Sequence, residues 1–207
     1  MQLKEYYKEY GRKMPEEREN GIPLSKERIQ KILPFFEEPM LDVGCSKGYD
    51  VRYFYNKGFK KTFGCDISEE VISVANSFLP GHFFVHNFEE KKIKKKFKTI
   101  YSFDVIEHLF FTNEFLENIF YSILPKGKLI ITCPNVLSIR NRINFLFGKG
   151  EYFIPKHNCP HIRFFNTKSL EQKLKQTGFR KVLFFNASKI PLMPDSLVGS
   201  ITAVALK

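Results

Sequence analysis

The chain contains no tryptophan and only four cysteines among its 207 residues. Cys45, Cys65, Cys133 and Cys159 form no CxxC pair. That excludes a clustered zinc framework and a disulfide scaffold, and favours a reducing, cytoplasmic setting. No apolar run approaches the roughly 20 residues that a membrane-crossing helix needs. The opening MQLKEYYKEYGRK is charged and lacks the apolar core of a secretory signal. Internal repeats and low-complexity linkers are missing as well.

What the chain has in excess is positive charge and phenylalanine. Lysine and arginine number 33 against 22 acidic residues, a balance of +11. It suits contact with nucleic acid, anionic lipid or phosphorylated substrates, and equally plain solubility. The lysines are scattered except in EEKKIKKKFK (89–98), which reads as a solvated face. As an RNA contact it lacks the interleaved aromatics of single-strand binders. The 23 phenylalanines fit an A- and T-rich gene as well as any function. At 43% hydrophobic, the length supports one sizeable core and a single domain over 1–207.

Short apolar runs alternate with helical patterns. PMLDVG (39–44), KTFGCD (61–66), HFFVHN (82–87), KTIYSFD (98–104) and KLIITC (128–133) read as strands. YDVRYFYNKG (49–58) reads as a helix closed by Gly58, and SEEVISVANSFL (68–79) as a helix with Ser68 at its N-cap and two acids in its first turn. NEFLENIFYSIL (113–124) is a helix stopped by Pro125 and Gly127. This alternation predicts an α/β fold, a doubly wound and mainly parallel sheet with helices on both faces. After the helical TKSLEQKLKQTGF (167–179), KVLFFNAS (181–188) and SITAVALK (200–207) add a carboxyl-terminal antiparallel hairpin with a short connection, bringing the sheet to seven strands. Residues 1–37 form a helical extension with one helix over 24–37. Residues 134–166 are a basic, aromatic insertion where substrate choice would be made.

In an open parallel sheet, ligands sit beyond the carboxyl ends of the strands, at the switch in strand order. MLDVGCSKGYD (40–50) places Gly44 and Gly48 just past the first strand. Glycine there permits a tight turn and close backbone approach to a ligand. The dinucleotide pattern fails, because Ser46 and Tyr49 hold its second and third glycine positions, and no P-loop triplet follows. Asp66 ends the second strand, where a carboxylate can accept ribose hydroxyls. Asn87 and Phe88 end the third, where an amide can read an adenine edge and a ring can cover it.

These segments together resemble the class I S-adenosylmethionine-dependent methyltransferases, from about Arg28 onward. LDVGCSKG is similar to the family's cofactor loop, GCDIS to its ribose-binding strand end and FKTIYSFDVIEHL to its fourth-strand motif. SILPKGKLIITCPN is similar to the helix-turn-strand that follows. GKGEYF and HIRFFNTKSLEQKLKQTGF resemble the later part of a subgroup acting on small molecules, lipids or glycans. The resemblance implies a Rossmann-like sheet, S-adenosyl-L-methionine as cofactor and S-adenosyl-L-homocysteine as product. Asp42 and Gly44 would hold the methionine end, in a loop that includes Cys45 and Ser46, and Gly48 would let the chain pass close. Asp66 would bind ribose, Ile67 would pack on adenine, Asn87 and Phe88 would frame the base, and Ser102 and Phe103 would line the methionine side. Ser46 replaces a usual glycine but is small enough to keep the turn. Asn87 replaces a usual aspartate and can still accept a hydrogen bond.

Methyl transfer from a sulfonium is an in-line displacement, so alignment and water exclusion dominate, and a hydroxyl acceptor gains from a general base. DVIEHL places Asp104, Glu107 and His108 on the ligand side, and the insertion supplies His161 and Arg163. In one reading His108 or His161 is the base with Glu107 beside it, Arg163 holds an anionic group and Asn135 contacts the acceptor. In a second, Asp104, Glu107, His108 and His161 bind a metal, similar to RNA 3′-end 2′-O-methyltransferases except that Asp104 stands for glutamate. In a third, Glu107 caps a turn and His108 packs beneath the substrate loop. The expectation is catalysis without a resident metal. The helix LSIRNRINFLF (137–147) carries Ile139, Ile143 and Leu146 or Phe147 on one stripe. It is a core or lid helix, or one lying on a membrane to admit a lipid-linked acceptor. The expected acceptor is a small molecule, lipid or glycan methylated on oxygen. RNA ribose is the alternative, and a non-catalytic cofactor sensor the competing class.

Overall fold

Strand β4 (Phe97–Phe103) shows how the sheet is covered. Ile100 turns to one face and joins a core with Leu116, Ile119, Leu170 and Leu174. Tyr101 and Phe103 turn to the other, against Ile29, Ile32 and Phe54. This is the period-two alternation of a strand buried on both sides. β1 (Met40–Val43), β2 (Thr62–Asp66) and β3 (Phe83–Val85) lie to one side of β4. β5 (Ile123–Pro134), β7 (Ser200–Leu206) and β6 (Lys181–Phe184) lie to the other. The order is β3-β2-β1-β4-β5-β7-β6. β1 to β5 pair in parallel, whereas β7 runs antiparallel to both β5 and β6. The computed structural model describes residues 26–149, 161–185, 194 and 197–207. The extension's residues 1–25, residues 150–160 of the insertion with Cys159, and residues 186–188 of the expected sixth strand lie outside them.

Helix α1 (Lys26–Ile32) continues as a single 3-10 turn over Leu33–Phe35, because Pro34 cannot donate to a longer α-helix. It shares one face of the sheet with α2 (Tyr49–Asn56), which also packs on α3 (Glu69–Phe78). The Ser68 hydroxyl accepts the Val71 N–H at the start of α3, as its position in the sequence predicts. On the opposite face lie α4 (Thr112–Ser122) and α6 (Thr167–Thr177), with α5 (Ile139–Leu146) leaving the carboxyl end of β5.

The sheet differs from the sequence expectation mainly in strand lengths. β5 begins at Ile123, inside the segment read as helix and turn, since Ile123 pairs with Phe97 before a register shift leads to Thr99 opposite Lys128. Lys126 absorbs that shift at φ +60°. β6 ends at Phe184, short of the expected Ser188.

Candidate active site

The chain crosses from one side of the sheet to the other between β1 and β4, and the turn after β1 lies at that crossing. Gly44 and Cys45 both donate their N–H groups to the Cys65 carbonyl, at 2.9 and 3.0 Å, and the Gly48 N–H donates to the Cys45 carbonyl at 2.8 Å. A β-carbon on Gly44 would lie 2.5 Å from Val105 Cγ2, and one on Gly48 2.4 Å from Phe83 Cζ. Both residues also have φ near +80°, at +83° and +76°. Glycine is required twice over. Ser46 takes φ +49° without being glycine, and its N–H donates to Asp66 Oδ2 at 2.9 Å.

Asp66 fastens two segments, because its Oδ1 accepts the Ser68 N–H at 3.0 Å. Burial pushes its carboxyl up from the ordinary carboxylate value, and N–H bonds from Ser68, Ser46 and Ile67 oppose that push. Asp42 is buried in β1, and its Oδ2 has no hydrogen-bond partner among the described residues. Burial, then the charges of Asp50 and Asp66, hold its carboxyl well above the ordinary value. Cys45 fits beneath because β2 has Gly64 opposite it, where a β-carbon would lie 2.9 Å from Cys45 Sγ.

The base-side residues divide. Asn87 Oδ1 accepts the Glu89 N–H at 2.9 Å, which fixes the amide, and its Nδ2 is buried with no hydrogen-bond partner among the described residues. The Phe88 ring sits in the main core, edge-on to His86 at 4.7 Å, with Ile67 half-buried against the same core. Ser102 donates its hydroxyl to the Val43 carbonyl at 2.9 Å, and Phe103 packs on the α1–α2 face.

At the end of β4, Asp104 is held at φ +55°. Its N–H donates to the Thr132 carbonyl and hydroxyl, at 3.2 and 3.0 Å, and the Thr132 hydroxyl donates to Asp104 Oδ1 at 3.0 Å. A 3-10 turn over Ile106–His108 follows. The Glu107 carbonyl accepts the N–H groups of Ile162 and Arg163, at 3.0 and 2.9 Å. Those two bonds seat His161 beside His108, with ring centroids 5.0 Å apart. One ligand atom from each of Glu107, His108 and His161 lies within 4.8 Å of the others. Asp104 stands outside that trio, although its charge acts on two of its members. Glu107 Oε1 is 3.9 Å from His108 Nε2, within ion-pair reach and too far for a hydrogen bond.

Both Glu107 carboxylate oxygens are buried and lack a hydrogen-bond partner among the described residues. Burial first, then the Asp104 charge, raises this carboxyl well above the ordinary value. His161 goes the other way. Burial lowers its pKa from the ordinary histidine value, with the Asp104 charge opposing.

Arg163 donates from Nε to the Leu109 carbonyl at 3.3 Å and from Nη2 to the Phe110 carbonyl at 2.6 Å. Asn135 is fully buried, donating to the Val198 carbonyl at 2.9 Å and accepting the Leu137 N–H at 3.0 Å. Both residues bind together the loops around the site. Sequence reasoning missed Thr132, whose partnership with Asp104 depends on the Phe103–Thr132 register and leaves no local signal. It also missed Arg28, which donates to Ser200 Oγ at 3.2 Å and lies close enough to Asp104 for that charge to oppose the burial that lowers its pKa. A cation directly before the buried Ile29 was the available clue.

A sheet in this order, with a glycine turn at its crossing, is the Rossmann-like fold of the class I methyltransferases. Residues 10–183 match the family described as a methyltransferase domain, and the chain belongs to it. Over 164 residues it is 26% identical to the ubiquinone biosynthesis O-methyltransferase of Rickettsia bellii, with 72% of this chain and 66% of that protein covered. It is 25% identical over 170 residues to the tRNA U34 carboxymethyltransferase of Pseudoalteromonas atlantica, covering 79% of this chain and 51% of that protein. The chain thus spans just under two-thirds of the first relative's length and about half of the second's. A crystal structure of a SAM-dependent methyltransferase from Archaeoglobus fulgidus shares the fold at TM-score 0.65 and 18% identity, over 87% of this chain and 91% of that one. Among the described residues, no helix is long and apolar enough to cross a membrane.

Proposed function

We propose that the protein transfers a methyl group from S-adenosyl-L-methionine to a hydroxyl of a small-molecule, lipid or glycan acceptor, with His161 as general base. The observation that carries this reading is the placement of His161, pinned beside Glu107 and His108 at the ligand end of β4; burial that pushes its pKa down suits the role. The R. bellii relative, named an O-methyltransferase, supports oxygen as the accepting atom.

The residues present fit the cofactor. Asn87 Nδ2 is a buried donor lacking a partner among the described residues, suited to an adenine ring nitrogen. The Asp66 carboxylate has about four acceptor sites and takes N–H groups from Ser46, Ser68 and Ile67, which leaves room for a ribose hydroxyl. Asp42 Oδ2 suits the cationic amino group of the methionine end. Bound there, the sulfonium supplies an electrophilic methyl group. The acceptor's proton passes to a ring nitrogen of His161, and the negative charge of Asp104 favours the imidazolium that results. Arg163 and Asn135 hold the loops that frame the acceptor.

Calorimetric titration tests the cofactor. Micromolar-range binding is expected, with a loss of more than about 1 kcal/mol in Asp66→Ala. Binding of neither S-adenosylmethionine nor its demethylated product would overturn the reading. His161→Ala should keep cofactor affinity and lose turnover about 10²- to 10⁴-fold. In the wild type, turnover should fall only as the pH drops below the ordinary histidine value of 6.5, since burial lowers the His161 pKa.

A second reading has the Glu107, His108 and His161 atoms ligating a divalent cation that activates the acceptor, supported by their mutual 4.8 Å approach. Chelation should then abolish turnover and leave cofactor binding intact. Under the first reading, chelation changes neither.

A further inference from the structure

Helix α5 is built inside out. Asn141 is the buried side chain, its amide nitrogen donating to the carbonyls of Asn135 and Val136 at 3.1 and 3.2 Å. Phe145 is half-buried, and the other apolar residues face water. Ile139 and Ile143 are exposed, Leu146 is 83% exposed and Phe147, just past the helix, 76%. At helical spacing Ile139, Ile143 and Leu146 form one stripe, bordered on one side by Arg142 and on the other by Arg140, both exposed. No acid occurs from Asn135 to Lys149.

A helix that buries an amide and exposes an aliphatic stripe is costly in water unless something covers the stripe. We propose that the stripe seats the protein on an anionic lipid bilayer, beside the mouth through which a lipid-borne acceptor enters; the acceptor part rests on the function proposed above. Two observations favour lipid over a protein partner. The stripe is one short helix wide, far less than the roughly 800 Å² per partner of a stable protein interface. Its arginine borders and the chain's balance of +11 suit lipid phosphates, while a few apolar side chains suffice to enter the headgroup boundary. The seat is also joined to the site. Asn135 at the foot of α5 bridges to Phe165, and the Val136 N–H donates to the Phe165 carbonyl at 2.9 Å. The same short segment brings His161 to Glu107.

Flotation of the full chain with vesicles tests this, using phosphatidylcholine alone or with about 30% phosphatidylglycerol. Leu146→Ser/Phe147→Ser serves as the variant, because side chains so exposed are not needed for the fold. The wild type should float with the anionic vesicles at least tenfold more than with the neutral ones, and less as salt rises. The variant should lose at least tenfold while cofactor affinity by calorimetry stays unchanged. Failure of the wild type to float, or equal flotation of the variant, would overturn the proposal. So would a lipid-free dimer that the variant abolishes, which would assign the stripe to a second copy. Flotation without cofactor binding would leave the seat standing and remove the enzymatic reading. Cofactor binding without flotation would do the reverse.

Discussion

Ser46 occupies a conformation that glycine adopts freely and other residues adopt at a cost of roughly 1 kcal/mol. Its N–H bond to Asp66 Oδ2 holds it there, and that bond belongs to the backbone. Ser46→Gly should therefore keep the bond and relieve the strain. The expected gain is up to about 1 kcal/mol, or roughly 2–4 °C in Tm for a chain of this size, read by thermal melting. Asp104 is a different case, with its backbone N–H and its carboxylate both held by Thr132. A glycine there would discard a carboxylate whose charge reaches both Glu107 and His161.

Helix α6 begins where the segment carrying His161 ends. Asn166 Oδ1 accepts the Ser169 N–H at 2.9 Å, and Ser169 Oγ accepts the Asn166 N–H at 3.0 Å, a reciprocal cap. Asn166→Ala should cost about 1 kcal/mol in a denaturant titration. Elements of this kind were legible in advance. The apolar runs of β1 and β4 and the Ser68 cap are local signals, and the structure has them where the sequence puts them. The helix before Pro125, by contrast, ends two residues short of its expected end, at Ser122, and Pro125 falls within β5. The trio of Glu107, His108 and His161 was half legible: EH is adjacent in the chain, but His161 arrives through two backbone bonds to the Glu107 carbonyl that no side-chain pattern encodes. The inverted α5 was misleading for the same reason. Its periodicity marks an apolar stripe correctly and says nothing about which way the stripe faces, and the buried amide of Asn141 decided that.

Across the whole molecule, Asp42 and Glu107 are carboxyls that the fold prefers to keep protonated. A group whose folded pKa is raised contributes stability that is fully present below its unfolded value and lost as pH rises through the folded value. Both groups therefore weaken the fold at neutral pH relative to mild acid. Glu107→Gln should raise Tm more at pH 8 than at pH 5, measured by circular dichroism melts. The strand order carries a further consequence. β6 leaves the ribosome before β7, yet among the described residues β7 is its one neighbour in the sheet and lies between it and β5. The sheet therefore cannot be zipped up in the order of synthesis. Among the described strands β6 must wait without a partner, its hydrogen-bonding edge open to capture by chaperones or by other nascent chains, until β7 is inserted between β5 and β6.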